Sequence, residues 1–187
     1  MIKLNYIKNK FINNYIFKQF RLYIQKCYLF LAFLFCKSCS SRNLSIIASI
    51  TSHQPRIKSC WISLSSLFNQ DFEGYKIVLV LSLEEFPSKK IPWTLKFLQL
   101  KGLEILWCKE NYKSYKKLLP TREKYPNSKI ITFDDDLIYE KWRIRCLISE
   151  NKIFPESIIG HRGRKIKINS LGEIENYSNW EHVYKRL

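Results

Sequence analysis

KIITFDDDLIY, from Lys129 to Tyr139, is the stretch from which the rest of the chain can be interpreted. Its first half is a short apolar run with β-branched residues, which predicts a buried strand. The run ends at Asp134, Asp135 and Asp136, three of the four aspartates in the chain. Adjacent like charges repel, and a divalent cation would turn that repulsion into binding because hard cations prefer carboxylate oxygens. A solvated acidic turn is the alternative, and the position after a βα-type strand favours the metal site.

The composition describes a globular protein of one domain. The 187 residues are 46% hydrophobic and 15% aromatic, enough for a sizeable core. The formal charge of +16 would ordinarily indicate nucleic acid or an anionic membrane as a partner. The richness in Ile, Lys, Asn, Phe and Tyr weakens that inference, because an AT-rich genome produces the same bias. The six cysteines have no regular spacing, which favours reduced thiols and a cytoplasmic protein.

Residues 1–44 differ from the rest of the chain. Between Phe11 and Cys36, apolar side chains recur at close to four-residue steps among lysines and arginines, which predicts a basic amphipathic helix. The apolar run from Cys27 to Cys36 is ten residues long, too short to span a bilayer comfortably. Such a segment suits peripheral binding to the anionic inner face of the cell membrane. A signal peptide, a helix packed on the domain and an untranslated upstream extension are the alternatives.

From Leu44 onward, strands and helices alternate. Predicted strands cover residues 45–50, 75–81, 103–107, the run before Asp134, and 158–160, and predicted helices cover residues 57–69, 93–101 and 112–119. This alternation predicts an α/β fold with a Rossmann-like, mostly parallel sheet flanked by helices. Ligands of such sheets bind at the carboxyl ends of the strands. The loops at 51–56 and 82–85, Lys117 and the aspartates are therefore expected along one edge, where cations beside a metal would form a diphosphate pocket.

Six short segments, in order along the chain, resemble bacterial glycosyltransferases. They are ASITSHQPR (48–56), VLS (80–82), SYKKL (114–118), KYPN (124–127), ITFDDDLIY (131–139) and GHRGRKI (160–166). The group is the family-2-like type with the GT-A fold that adds sugars to lipopolysaccharide or capsule, and the similarity covers roughly residues 45–180. The resemblance implies a nucleotide-diphosphate-sugar donor, usually a UDP-sugar, with a Mn²⁺ or Mg²⁺ ion and a saccharide or lipid-linked saccharide acceptor. No nucleic acid is expected as a partner.

The resemblance also implies roles for single residues. Asp134 and Asp136 would form the Asp-x-Asp element, with Asp136 the better metal ligand and Asp134 facing the ribose or sharing the ion. Asp135 lies between them among the substrate-binding residues, and its role is left open. The other substrate-binding positions are Thr51 and Arg56 in the nucleotide-facing loop, Lys117 before the aspartate strand, and the late pair His161 and Arg162 near the donor phosphate or acceptor. The alternatives are a turn hydroxyl for Thr51, solvated charges for Arg56 and Lys117, and a structural histidine for His161.

The chain departs from this group at its C-terminus. Members of the group continue beyond the position of Leu187 into a segment that binds the acceptor and usually supplies the catalytic base. The resemblance therefore implies that residues 45–187 form a C-terminally truncated GT-A domain that binds a nucleotide-sugar, with the catalytic base unknown. A hexosyltransferase is the expected enzyme, and an inactive or donor-binding-only fragment is the alternative.

Two other classes of function remain open from the sequence. The positive charge and the aromatic residues favour a nucleic-acid binder, although the basic residues do not cluster in a recognised binding module. A metal-dependent phosphotransferase or nuclease would use the aspartates for two ions and would need further acidic ligands. Glu84 and Glu85 are the obvious suppliers.

Overall fold

The computed structural model of the chain describes residues 30–38, 45–161 and 163–183. The chain forms two compact units, Met1–Trp142 and Arg143–Leu187. The predicted boundary at residue 44, most of the predicted amphipathic helix and Arg162 lie outside the described residues. In the described ranges, no helix has the length and apolar character needed to cross a bilayer.

The first unit is built on a four-stranded sheet in which all neighbouring strands are parallel. Its strands are β1 (Ile46–Thr51), β2 (Lys76–Ser82), β3 (Glu104–Cys108) and β4 (Lys129–Phe133). They lie in the order β3-β2-β1-β4. Each corresponds to a strand predicted from its apolar run, and the flanking helices complete the predicted α/β, Rossmann-like architecture.

Burial differs between the inner and outer strands. β2 carries the run IVLVL, and every residue from Ile77 to Ser82 is buried, as expected for a strand covered on both faces. β4 pairs with β1 and lies at one edge of these four strands, and within it only Phe133 is buried. The prediction of a strand before the aspartates is therefore confirmed, but full burial is wrong because an edge strand has a neighbour on one side only.

The strand order reverses between β1 and β4. The chain moves outward from β1 to β2 and β3, and it then returns to place β4 on the other side of β1. Ile47 of β1 accordingly pairs with Lys76 on one side and with Ile130 on the other. In an open parallel sheet such a reversal leaves a crevice at the carboxyl ends of the two strands, because their following loops turn in opposite directions.

Three α-helices of the first unit are α1 (Trp61–Phe68), α2 (Trp93–Leu100) and α3 (Leu119–Lys124). The predicted helix at 57–69 begins later than expected, because residues 54–60 around Pro55 form successive turns. α2 matches its predicted range of 93–101 to within one residue, and Gly102 follows it with a φ of 107° that is accessible to glycine. The predicted helix at 112–119 is instead a 3₁₀ helix (Lys113–Lys117) followed by α3, which begins at a proline-containing turn.

Residues 30–34 are helical and pack on α1 and α2 mainly through the aromatic side chain of Phe33. The Phe33 ring is fully buried, with centroids 5.0 Å from the Trp61 ring and 4.8 Å from the Phe97 ring. Leu31 and Phe35 are exposed. This short described part of the N-terminal segment therefore packs on the domain and also presents apolar side chains to solvent.

The second unit contains α4 (Arg143–Ile153) and a small antiparallel sheet. The sheet is formed by β5 (Gly163–Lys165) and β6 (Glu181–Val183), which pair Arg164 with His182. The fifth strand predicted at residues 158–160 is wrong: these residues form no strand, and Ile158 is fully exposed. An isolated pair of isoleucines has no neighbouring strand or apolar surface to cover it there, so its β propensity is not realised.

Candidate functional site

The loops after β1 and β4 meet at the carboxyl edge of the sheet. Ile50 pairs with Phe133, so the residues after Thr51 and after Phe133 leave the sheet side by side. The first loop carries Ser52 and Arg56, and the second carries the three aspartates. This is the crevice created by the reversal of strand order.

Asp135 is the buried member of the aspartate triplet. Its side chain is 8% exposed and accepts two hydrogen bonds, from Ser52 Oγ at 2.6 Å and from Arg56 Nη1 at 3.0 Å. A carboxylate withdrawn from water needs such partners, because an unpaired buried charge is strongly unfavourable. Asp135 therefore joins the β1 loop to the β4 loop, which gives a structural role to the residue whose role the sequence left open.

Arg56 connects the buried aspartate to an exposed one. Its Nη1 also contacts Asp136 Oδ2 at 2.8 Å, and the Asp136 side chain is 49% exposed. The hydrogen bond to Asp135, followed by the charges of Asp135 and Asp136, raises the pKa of Arg56 above its ordinary value. The guanidinium thus carries a permanent positive charge at the mouth of the crevice.

Asp134 has a different cationic partner. Its Oδ1 contacts Lys117 Nζ at 2.6 Å, and its side chain is 60% exposed. The backbone around it is held by Tyr139, because the Asp134 N–H donates to Tyr139 Oη at 2.7 Å and this hydroxyl donates to the Asp134 carbonyl at 3.1 Å. Phe133 packs edge-on against the Tyr139 ring at 4.7 Å. These contacts keep Asp134 at the edge and facing solvent.

A further ion pair lies beside the crevice at the end of β2. Lys116 is buried and pairs with Glu85, which also accepts a hydrogen bond from Ser82 Oγ at 3.1 Å. Burial alone would raise the pKa of Glu85, but the hydrogen bond and charge of Lys116 lower it below its ordinary value. Because the Gln54 amide donates to the Glu85 carbonyl, the β1 loop is attached to the β2 loop as well as to the β4 loop.

The remaining predicted substrate-binding residues are placed as follows. The Thr51 hydroxyl donates to the Val80 carbonyl at 2.8 Å, so this side chain bonds to the neighbouring strand. His161 belongs to the second unit, and Arg162 lies outside the described residues. The structure thus brings Arg56, Lys117 and the aspartates together at one edge.

Sequence reasoning missed two residues of the site, Ser52 and Cys60. Ser52 could have been found from its position, because a hydroxyl directly after a strand faces the crevice. Burial raises the pKa of Cys60 to about 12, and the charge of Asp135 acts in the same direction. The thiol is therefore protonated at neutral pH and does not serve as a nucleophile.

The donor set fits a divalent cation that is shared with a phosphate ligand. Across the described ranges, no three His, Cys, Asp or Glu side chains come together as a metal cage. Asp134 and Asp136 are exposed and follow the same strand, whereas both oxygens of Asp135 are occupied. Mg²⁺ in phosphate-binding sites is commonly held by one or two carboxylates together with substrate phosphates. Two exposed aspartates are the protein half of such a site.

Neither of the two glutamates expected to add ligands for a second ion contacts the aspartates. Glu85 is paired with Lys116, and Glu84 accepts the backbone N–H of Asn111 at 3.2 Å. The observed partners of these glutamates do not favour the two-ion alternative.

No protein-family model and no curated protein matches this sequence.

Proposed function

We propose that this chain is a glycosyltransferase of the GT-A type that binds a nucleotide-diphosphate sugar, with a UDP-sugar as the expected donor. The observation that carries the proposal is the meeting of the aspartate triplet and the Arg56 loop at the reversal of strand order between β1 and β4. In α/β sheets this is the position where nucleotide ligands bind. The proposed activity is hexosyl transfer in the synthesis of lipopolysaccharide or capsule.

The charges at the crevice suit a diphosphate. Arg56 and Lys117 offer guanidinium and ammonium donors, and Asp134 and Asp136 would hold Mn²⁺ or Mg²⁺. In the two ion pairs at these aspartates the carboxylates are 49% and 60% exposed, so solvent screens both pairs and each contributes little to stability. Replacing these ion pairs by contacts with a metal and phosphates would therefore cost little free energy.

The proposed mechanism assigns roles to the cation, to Arg56 and Lys117, and to Asp135. The cation, when bound, offsets the charge that develops on the leaving diphosphate. Arg56 and Lys117 would stabilise the same charge, because preorganised cations at the leaving group lower the free energy of the transition state. Asp135 would position Arg56 without contacting the donor. The acceptor is a saccharide or lipid-linked saccharide, and a donor-binding-only fragment without transfer activity is the alternative form of the proposal.

The proposed location is the cytoplasm, at the inner face of the cell membrane. Support comes from the exposed apolar side chains Leu31 and Phe35 beside the exposed Lys37 in the described part of the N-terminal segment. Such a combination favours the boundary between lipid head groups and acyl chains.

Calorimetry with UDP and Mn²⁺ tests the donor site. We expect UDP to bind the wild type at least about tenfold more tightly with Mn²⁺ than without it. Asp136→Asn should lose this enhancement, and Glu73→Gln should keep it, because Glu73 is an exposed carboxylate before the start of β2, whereas Asp136 follows the carboxyl end of β4. Equal enhancement in the wild type and Asp136→Asn would remove the metal assignment, and absence of UDP binding in every condition would remove the donor assignment.

A further inference from the structure

A cavity of about 590 Å³ lies between the loop after β1 and the loop after β2. Its walls include the apolar side chains of Ile57, Phe86 and Trp93, and the side chains of Lys58 and Lys90 also line it. Small-molecule sites are commonly cavities of about 300–1,000 Å³ with apolar walls and a few polar groups. This cavity has the size and lining of a ligand site, and Asp134, Asp136 and Lys117 are not among its lining residues.

The positive charge of the cavity is not balanced by the protein. The residues that line it include two lysines and no aspartate or glutamate. Within the part of the chain that the structure describes, Lys58 and Lys90 form no ion pair, in contrast to Lys116 and Lys117. Two unpaired ammonium groups beside an apolar wall favour a ligand that is anionic at one end.

The apolar wall of the cavity continues onto the surface. Trp93 is 61% exposed, and its ring lies 5.9 Å from the Phe33 ring in an edge-on contact. Phe33 belongs to the helical residues 30–34, whose neighbours Leu31 and Phe35 are exposed. A hydrocarbon chain that begins in the cavity would therefore find further apolar surface where it leaves.

We propose that this cavity binds a phosphate monoester carried on a hydrocarbon chain. A phosphate monoester has a charge between about −1.5 and −2 at pH 7 and so matches two ammonium groups, whereas a carboxylate matches one. Lys58 and Lys90 bind the phosphate, and the hydrocarbon lies against Ile57 and Trp93. The inference goes beyond the proposed function and holds whether or not the crevice between β1 and β4 binds a sugar nucleotide.

Calorimetric titration of the full chain with decyl phosphate below its micelle concentration tests the proposal. Inorganic phosphate and decanol serve as comparators that carry one half of the ligand each. We expect decyl phosphate to bind more tightly than either comparator. The double variant Lys58→Gln/Lys90→Gln should bind it about tenfold more weakly. The matched double variant Lys109→Gln/Lys152→Gln, at exposed lysines outside the cavity, should bind it like the wild type.

Several results would overturn the proposal. Inorganic phosphate that binds as tightly as decyl phosphate would show that the apolar wall contributes nothing. Decanol that binds as tightly as decyl phosphate would show that the two lysines contribute nothing. Equal weakening of binding in the two double variants would show that the lysines act only through the net charge of the chain. Asp136→Asn should leave decyl phosphate binding unchanged, so a failure of UDP binding and a failure of this site are separate outcomes.

Discussion

Arg56 contacts two carboxylates that differ strongly in burial, so their removal should have different effects on stability. Asp135→Ala leaves the buried Ser52 hydroxyl and the Arg56 guanidinium without their acceptor. We expect Asp135→Ala to lower the free energy of unfolding by about 2–3 kcal/mol. This loss is smaller than the loss expected when one partner of a fully buried ion pair is removed, because Arg56 is half exposed. Asp136→Ala breaks an exposed contact that solvent screens, so it should lower the free energy of unfolding much less than Asp135→Ala does. Urea unfolding of both variants measures the difference.

The same two variants separate structural from ligand-binding roles. Asp136→Ala should retain stability and lose metal-dependent UDP binding. Ser52→Ala should reproduce part of the Asp135→Ala destabilisation, because it removes one of the two donors to the buried carboxylate. Equal unfolding free energies for Asp135→Ala and Asp136→Ala would contradict the distinction between a buried and an exposed aspartate.

At this scale the sequence predicts where the aspartates lie but not what each of them does. The strand before Asp134 and the rule for α/β sheets place all three carboxylates at a carboxyl edge. Three identical neighbours give no local signal for which one is buried. That depends on Ser52 and Arg56, which lie 83 and 79 positions away from Asp135 in the chain. Such a partner can be identified only after the neighbouring strands are known.

At the scale of elements, Glu104 connects β2, β3 and α3. Its carboxylate forms an ion pair with Lys76 and another with Lys124 at 2.8 Å, and Tyr125 Oη donates to it at 2.8 Å. Burial would raise the pKa of Glu104, but these partners, Lys124 first, lower it to about 2. Burial and the hydrogen bond to Glu104 also raise the pKa of Tyr125 to about 12. The network therefore requires the ionised carboxylate and the neutral phenol.

The lowered pKa of Glu104 predicts acid-dependent stability. In the unfolded chain a glutamate titrates near about 4.3, so the stabilising contribution is complete above that pH and is lost as the pH falls toward 2. The loss amounts to about 2–3 kcal/mol. Unfolding by urea between pH 6 and pH 2 should show a flatter pH dependence in Glu104→Gln than in the wild type. Glu73→Gln, at an exposed glutamate of the same unit, should follow the wild-type curve.

The elements that the sequence predicts correctly are those with strong local signals. The apolar runs of β1 and β2 and the stretch of α2 between Pro92 and Gly102 indicate their own structure. The errors have tertiary causes. Residues 158–160 have strand propensity but no strand beside them, and the stretch around Lys113–Lys117 is 3₁₀ where a continuous helix was predicted. Periodicity does not distinguish a strand with a partner from one without.

For the whole molecule, the uneven distribution of charge along the chain is relevant to binding at an anionic membrane surface. The chain carries 32 lysines and arginines against 16 acidic residues, and the first acidic residue is Asp71. The described residues 30–38 contain one basic residue, Lys37, beside exposed Leu31 and Phe35, while Phe33 anchors them to Trp61 and Phe97. Deleting the segment would uncover that aromatic contact. Substituting only the exposed side chains is therefore the cleaner test of membrane binding.

We expect the full chain to sediment with vesicles that contain phosphatidylglycerol, and to do so less at high salt because the attraction is electrostatic. Leu31→Ser/Phe35→Ser should reduce the bound fraction severalfold, since each exposed apolar side chain contributes on the order of 1 kcal/mol to insertion. It should leave the unfolding midpoint unchanged, because Phe33 stays in place. Tyr115→Ser/Leu171→Ser, at exposed apolar residues elsewhere, provides the matched control. Equal sedimentation of the two double variants would contradict membrane binding through residues 30–38.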